Sequence, residues 1–380
     1  MSDHHAMTRQ AVREFCSAEI EPVAKEYDDP KESAFPWEIF EKAAELGYLG
    51  PHYPEEYGGS GMDFLSTIII HEEFNRADPG IGTAVLSARF GTEMILKYGT
   101  EEQCRQFVKP VLEGEIACGA SITEPSGGSD VAAMKTTASK SGDEWILNGS
   151  KTWASTSPIA DFMLVFAKTS DGRGYDGISA FIVPTDTPGF EVEQELEKMG
   201  LHASPTAEIS ISDARVPDQN VVGTVDEGFY QLMEFFNENR IMVAANALGA
   251  AIGAFHHART YAGEREAFGK SIDEFQGLQW KLATMATKIE TARSTVYRAA
   301  SLHDAGENTP LLASIAKYYT SEITEDVCSE AIQIHGGYGY SRDFPVEKFY
   351  RDSRVHKIVE GTSEIQKNVI FDNLDHLDDW

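Results

Sequence analysis

EGFYQLMEFFNENRIMVAANALGAAIGAFHHARTYAGER, residues 227–265, reads as one long helical stretch. No proline interrupts the chain between Pro217 and Pro310. The stretch therefore predicts one helix of about 35 residues, roughly 50 Å long. Its most apolar run, IMVAANALGAAIGAF from 241, contains Asn246 and has only 15 residues, short of the roughly 20 that a membrane span needs. Such a helix belongs inside a protein. FQGLQWKLATMATKIETARSTVYRAASLHDAG from 275 and PLLASIAKYYTSEITEDVCSEAIQIHG from 310 are amphipathic at the same period, and SEIQKN from 363 starts a last helix. Four such elements predict a four-helix bundle over 226–380.

Upstream of the long helix the period changes. WILNGSKTWASTS, DFMLVFAKT, GISAFIVP and AEISISDARVP are short, β-rich runs separated by Gly, Pro, Asp and Ser, as in an antiparallel barrel or sandwich. They occupy 118–225. Residues 1–117 return to helical spacing in TRQAVREFCSAEIEPVAKEYD, PWEIFEKAAELGYLG, LSTIIIHEEFNRADPG and GTEMILKYGTEEQCRQFVKPVLEGE. The expected fold is α+β and multidomain: a helical N-terminal domain, a central β domain and a C-terminal helical bundle.

A chain of 380 residues with 42% hydrophobic and 24% charged residues is an ordinary globular composition. Its charge is unusual: 61 acidic side chains against 32 basic ones leave −29. That field repels nucleic acid and anionic lipid, so neither is an expected partner. Concentrated salt would screen the self-repulsion, which suggests a salt-rich cytoplasm. The four cysteines, Cys16, Cys104, Cys118 and Cys328, show no metal or redox spacing. The start, MSDHHAMTRQAVREFC, has no secretory h-region, and the expected location is cytoplasmic.

No GxGxxG follows a strand and no GxxxxGK[ST] occurs, so a nucleotide cofactor must be held some other way. CGASITEPSGGSD (118–130) reads either as a domain-junction turn or as backbone N–H groups that cradle an anion or a polar ring edge. Trp153 in KTWAST is either barrel core or a flat partner for a planar cofactor. EREAFGKSIDEFQ (264–276) is either a helix corner or a binding segment. In HKIVEGTSEIQKN (356–368), Glu360 is either a solvated loop acid or a base, and Ser363 with Gln366 has capping-box spacing.

Taken together with IQIHGGYGYSRDFPVEKFYRDSRVHKIVEGTSEIQ from 332, these segments resemble the acyl-CoA dehydrogenases over essentially the whole chain. The resemblance implies an FAD enzyme that oxidises the Cα–Cβ bond of acyl-CoA thioesters. It implies flavin-edge contacts from Ala120, Ile122 and Thr123, with Gly128 and Ser129 close behind. Trp153 would flank the ring, and Ser155, where relatives often carry threonine, would approach the hydride-accepting nitrogen. Arg265, Phe268, Gln276, Gln333 and Gly337 would hold the adenine half of a neighbouring subunit's FAD. Thr362 and Glu364 would lie near the pyrophosphate, an uncomfortable place for a carboxylate unless it turns away or holds a cation.

By the same resemblance Glu360 is the base for the α-proton, and its backbone N–H and a ribityl hydroxyl bind the thioester oxygen. Some family members carry the base on the long helix just before the arginine matched by Arg240. Asn239 stands there in this chain, and Glu238 is one residue out of register. Arg240 is thus expected to organise the site. Thr83, Leu86 and Phe90, with Ser129 and Gly361, would contact an aliphatic acyl-CoA, and the arginine of glutaryl-CoA enzymes is missing. The implied acceptor is an electron transfer flavoprotein and the implied assembly a homotetramer built as a dimer of dimers. Two alternatives stay open: an acyl-CoA oxidase using O₂, and a non-catalytic flavin-binding relative.

Overall fold

The structure is a computed structural model, and it describes residues 1–29, 34–170, 175–307 and 310–377. In the N-terminal part, α1 (Asp3–Glu19), α2 (Trp37–Glu45), α3 (Phe64–Ala77), α4 (Pro79–Ser87) and α5 (Thr92–Tyr98) are followed by α6 (Glu101–Gln103), a π-helical turn and α7 (Lys109–Leu112). Local chemistry sets their starts. Asp63 and Asp78 accept hydrogen bonds from Ser66 N and Ile81 N as N-caps, and Pro79 opens α4 where its missing N–H costs nothing.

The middle part contains β1 (Cys118–Ser121), β2 (Thr137–Ser141), β3 (Glu144–Ser155), β4 (Phe162–Lys168), β5 (Ile178–Pro184), β6 (Phe190–Glu195), β7 (Thr206–Pro217) and β8 (Val221–Val222). Hydrogen bonding orders them β6-β7-β3-β2-β4-β5-β8, with β1 attached to β4. Most pairs are antiparallel, as the alternating runs predict. The β1–β4 pair is parallel, which brings the strand leading out of the helical domain to the centre of the sheet. β4 and β5 are buried almost throughout, as expected of strands covered on both faces.

The long stretch is a single helix, α8 (Gly228–Glu264), of 37 residues. It is long and apolar enough to cross a bilayer by composition, yet 78% of its apolar window is buried in the protein. It crosses α3 at backbone contact: a Cβ on Gly249 would lie 2.3 Å from Glu72 O, and one on Gly253 would lie 2.4 Å from Arg76 O. A short hairpin, β9 (Glu266–Ala267) and β10 (Lys270–Ser271), leads to α9 (Gln276–Asp304), α10 (Pro310–His335), α11 (Val346–Ser353) and α12 (Ser363–Asp372). α8, α9, α10 and α12 form the bundle. The last three residues of the acidic tail FDNLDHLDDW lie outside the described residues.

Two buried ionic clusters tie the three parts together. The Asp28 carboxylate, from the N-terminal part, receives Arg351 (2.6 and 3.1 Å), Arg342 (2.9 Å) and His202 of the β part (3.0 Å). Lys348 Nζ bridges Asp78 and Asp352, each at 2.7 Å, and Asp352 also accepts Leu201 N at 2.6 Å. Each carboxylate is satisfied by partners from other layers, so removing one partner would strand a buried charge.

Candidate active site

Between the 3₁₀ turn Arg354–Lys357 and α12, the chain makes a tight turn in which Glu360 (φ +53°) and Gly361 (φ +88°) are both left-handed. A non-glycine residue in that region is strained and persists only where its surroundings hold it. Here Gln366 Nε2 donates to Glu360 O and Gly361 O, both at 2.9 Å, and Lys317 Nζ donates to Gly361 O at 2.7 Å. The expected Ser363–Gln366 capping box does not form. Thr362 is the N-cap, accepting Ile365 N at 3.3 Å, while Ser363 Oγ donates to Glu322 at 2.7 Å. Thr362 caps the helix one residue earlier, Glu322 takes the Ser363 hydroxyl, and the freed Gln366 clamps the turn.

The clamp turns the Glu360 carboxyl inward, where Oε2 is buried without a hydrogen-bond partner. Burial raises its pKa from the usual carboxylate range to about 7; Arg240 and Lys317 pull it down, and Glu93 pushes it up. Arg240 is itself buried and donates to Asn237 Oδ1 at 2.9 Å. Glu238, one position out of register, faces elsewhere: its carboxylate lies 3.7 Å from Lys97 and 3.4 Å from His303. Asn239 closes onto its own helix, donating to Phe235 O.

Of the expected acyl-chain residues, Thr83 and Phe90 are partly accessible and Leu86 is buried in the core. Phe90 packs on Phe235 with ring centroids 5.2 Å apart, and Thr83 Oγ1 donates to Asn75. The same segment carries a feature that an apolar wall does not predict. Arg89, 1% exposed, is paired with Glu93 and donates to Tyr53 OH at 3.1 Å. Through Glu93 this pair reaches the field at Glu360.

On the β part, Ala120 lies in β1 beside Leu164, and Ile122 and Thr123 continue from the strand end. Lys151 Nζ donates to Ile122 O at 3.2 Å and Thr152 N to Thr123 O at 3.0 Å. The Glu124 carboxylate is gripped by Lys151, Thr136 and Lys135 N. Gly128 and Ser129 lie on the exposed loop beyond. Trp153 is 59% exposed with φ +57°, in a bulge where β3 slips register against β7 between Lys151 and Ala154. The bulge takes the ring out of the core, so the barrel-core reading of Trp153 fails. Ser155 is exposed two residues on, its Oγ 3.4 Å from Thr206 Oγ1.

The remaining candidates gather elsewhere. Arg265 and Gly337 line one cavity of about 670 Å³ with Gly336, Tyr338 and Ile334, and the Arg265 guanidinium lies over the Tyr338 ring. Phe268 is 97% exposed at the tip of the β9–β10 hairpin, where it and Gly269 both take positive φ, as a two-residue hairpin turn requires. Gln276 and Gln333 are exposed on α9 and α10. Glu364 is exposed in the first turn of α12, where its own backbone N–H and the Thr362 side chain hold its pKa down. It turns onto the helix N-terminus, whose dipole favours a negative charge.

Three family models cover the chain in order: the acyl-CoA dehydrogenase N-terminal domain over residues 2–115, the middle domain over 119–214 and the C-terminal domain over 226–374. The chain belongs to the acyl-CoA dehydrogenase family. It is 41% identical to the short-chain-specific acyl-CoA dehydrogenase of Clostridium acetobutylicum, over 96% of each chain. It is 42% identical to a subunit of the caffeyl-CoA reductase–Etf complex of Acetobacterium woodii, over 97% of each. The solved butyryl-CoA dehydrogenase of Megasphaera elsdenii superposes with a TM-score of 0.94 at 36% identity, covering 98% of both chains.

As a member of this family the protein is an FAD-dependent oxidoreductase, and its residues fit that group. A Cβ added at Gly127, Gly336 or Gly337 would meet no atom within 4 Å. Backbone therefore faces open space where the dinucleotide would approach, at Gly336 and Gly337 in the cavity that Arg265 also lines. An exposed aromatic, Trp153, stands next to the Ile122–Thr123 edge, which the buried Lys151–Glu124 pair holds still. Of the two residues that hold the base turn, Gln366 was read only as half of a capping box, and Lys317 escaped notice in the sequence. Lys317 had a signal: it sits in α10 among the buried positions Ala313, Ala316 and Thr320, where a lysine is out of place.

Proposed function

We propose that this protein dehydrogenates an aliphatic acyl-CoA to the trans-2-enoyl-CoA, with Glu360 as the base, and passes the electrons to an electron transfer flavoprotein. One observation carries the reading: a carboxyl raised to about 7, with an unpartnered buried oxygen, held inward on a clamped turn. A base for a weakly acidic Cα–H must be ionised near neutral pH yet avid for a proton, and this setting provides both. FAD supplies the hydride acceptor for the β-hydrogen.

The chain's own residues do the rest. Glu360 takes the α-proton, its backbone N–H stabilises the developing thioester oxyanion, and Arg240 keeps the carboxyl ionised. Ala120, Ile122, Thr123, Trp153 and Ser155 hold the flavin. Arg265, Phe268, Gln276, Gln333 and Gly337 hold the adenine half of a second copy's FAD, which makes a dimer, and by doubling a tetramer, part of the binding site. The exposure of Phe268, an aromatic ring left in water by one chain, supports a covering partner. A cytoplasmic role in fatty-acid or branched-chain amino-acid breakdown fits this chemistry.

A second reading runs the same site backwards. A relative named as a caffeyl-CoA reductase subunit favours it, and microscopic reversibility allows Glu360 to deliver the proton. The visible spectrum of the purified protein, recorded without oxygen against a panel of acyl-CoAs, tests the main reading. Bleaching of a yellow protein is expected; a colourless protein that takes up no FAD would sink it. Slow reoxidation in air separates the dehydrogenase from an oxidase. Faster turnover of enoyl-CoA with reduced flavoprotein than of acyl-CoA with the oxidised form would favour the reductase.

A further inference from the structure

A buried ammonium lies behind the base. Lys317 on α10 is 0% exposed, and its one described hydrogen bond is to Gly361 O at 2.7 Å. No carboxylate among the described residues lies within ion-pair distance of it. A desolvated cation without a counter-ion is costly unless some charge nearby supports it. The strongest support is Glu360, with Glu322 of α10 and Glu364 of α12 contributing less, and Arg240 of α8 opposing. Burial still brings the lysine down to about 8.

We propose that Lys317 is a positioning residue for the base: it fastens the left-handed Glu360–Gly361 turn through the Gly361 carbonyl and holds the Glu360 carboxylate ionised by its charge. This rests on Glu360 being the base. The effects are reciprocal, since a cation supported by a carboxylate supports that carboxylate equally. The charged groups facing Glu360 are Arg240 from α8, Lys317 from α10 and Glu93 from α5. Of the two cations, only Lys317 also bonds the turn itself. Its charge also acts on the buried imidazole of His356, whose pKa is lowered to about 4, by burial first and Lys317 second. His356 is therefore neutral at working pH and does not compete.

The lysine also sets the pH range. Without it the carboxyl would be protonated further into the neutral range, and a protonated base cannot accept the α-proton. A nearby unit charge in a partly desolvated site shifts a carboxyl pKa by about one unit or more.

The test is the pH dependence of anaerobic flavin bleaching by butyryl-CoA in three variants that retain FAD. Lys317→Met should move the acid limb up by about one pH unit and lower the high-pH plateau. Lys317→Gln keeps a donor for Gly361 O without the charge, so its limb should move equally while the plateau partly recovers. Lys317→Arg should return the limb to its wild-type place. If the Met variant does not fold, the Gln and Arg pair gives the same comparison. An unmoved limb in the Gln variant, with only stability or FAD content reduced, overturns the proposal. Bleaching of the wild type tests the proposed function separately, so the two failures are distinguishable.

Discussion

The side-chain amide of Gln366 donates to the Glu360 carbonyl, six residues back along the chain, at 2.9 Å. A fully buried side chain in the first turn of the last bundle helix thereby holds the residue that would react. Gln366→Ala would leave two carbonyls of a strained turn without this donor, at a cost of about 1–2 kcal/mol in stability. Because the loss falls on the orientation of the base, kcat should drop about 10- to 100-fold. Steady-state kinetics and a melting curve read both. An unchanged kcat would mean that Lys317 alone suffices.

Glu360→Gln should keep the yellow colour and lose bleaching by about a thousandfold or more. In the wild type, activity should fall tenfold per unit as pH drops below about 7, because the protonated carboxyl is inactive. The same shift makes a prediction about folding. A carboxyl whose folded pKa is raised contributes most to stability when protonated, and that contribution is lost as pH rises from the unfolded value through about 7. At pH 8 the glutamine variant should therefore be more stable than the wild type, by on the order of 2 kcal/mol after allowing for partial solvent access. Near pH 4 the two should converge. Denaturant titrations at both pH values decide it.

Asp28→Asn removes the charge shared by Arg351, Arg342 and His202. Burial pushes the Asp28 pKa up, but Arg351, Lys348 and Arg342 more than offset it, and the folded value is depressed. Its stabilisation is thus present above the unfolded pKa and lost as pH falls through the folded one. The variant should lose about 2–4 kcal/mol at neutral pH and less in acid. A cost that stayed constant with pH would show that the pairing is not electrostatic.

With 61 acidic and 32 basic side chains, the folded chain repels itself, and molar salt should relieve this. The midpoint of thermal unfolding should rise between dilute buffer and about 2 M KCl. A midpoint that did not move would end the idea of a salt-adapted surface.

The long helix was legible because a largely apolar stretch runs from Gly228 to Glu264 without a proline. The burial of Glu360 was not, since an acid beside a glycine carries no local sign of it, and its proposed role as base was read only through the motifs around it. For Trp153 the residues alone left core and exposed readings open for a physical reason: its exposure depends on a register slip against β7, more than fifty residues away, and strand propensity alone cannot encode that. The Ser363–Gln366 spacing satisfied a helix-start rule, yet Thr362 took the cap one residue earlier while Ser363 turned to Glu322 on α10 and Gln366 to the base turn. The Asp28 cluster joins residues 323 apart and had no sequence signature. Lys317 could have been found, since a lysine in an apolar register asks for an explanation.

The Asp28 cluster bears on timing as well as on stability. The group that would remove the α-proton hangs from the bundle, while the residues proposed to seat the hydride acceptor belong to the β domain. The two bond cleavages are therefore assigned to different parts of the fold, and their synchrony is expected to depend on how firmly the Asp28 and Asp352 clusters hold those parts together. With the lock intact, deuterium at Cα and deuterium at Cβ should both slow one common step. With the lock loosened, the two isotope effects should part, and the enzyme would exchange the α-hydrogen with solvent more often than it completes the oxidation.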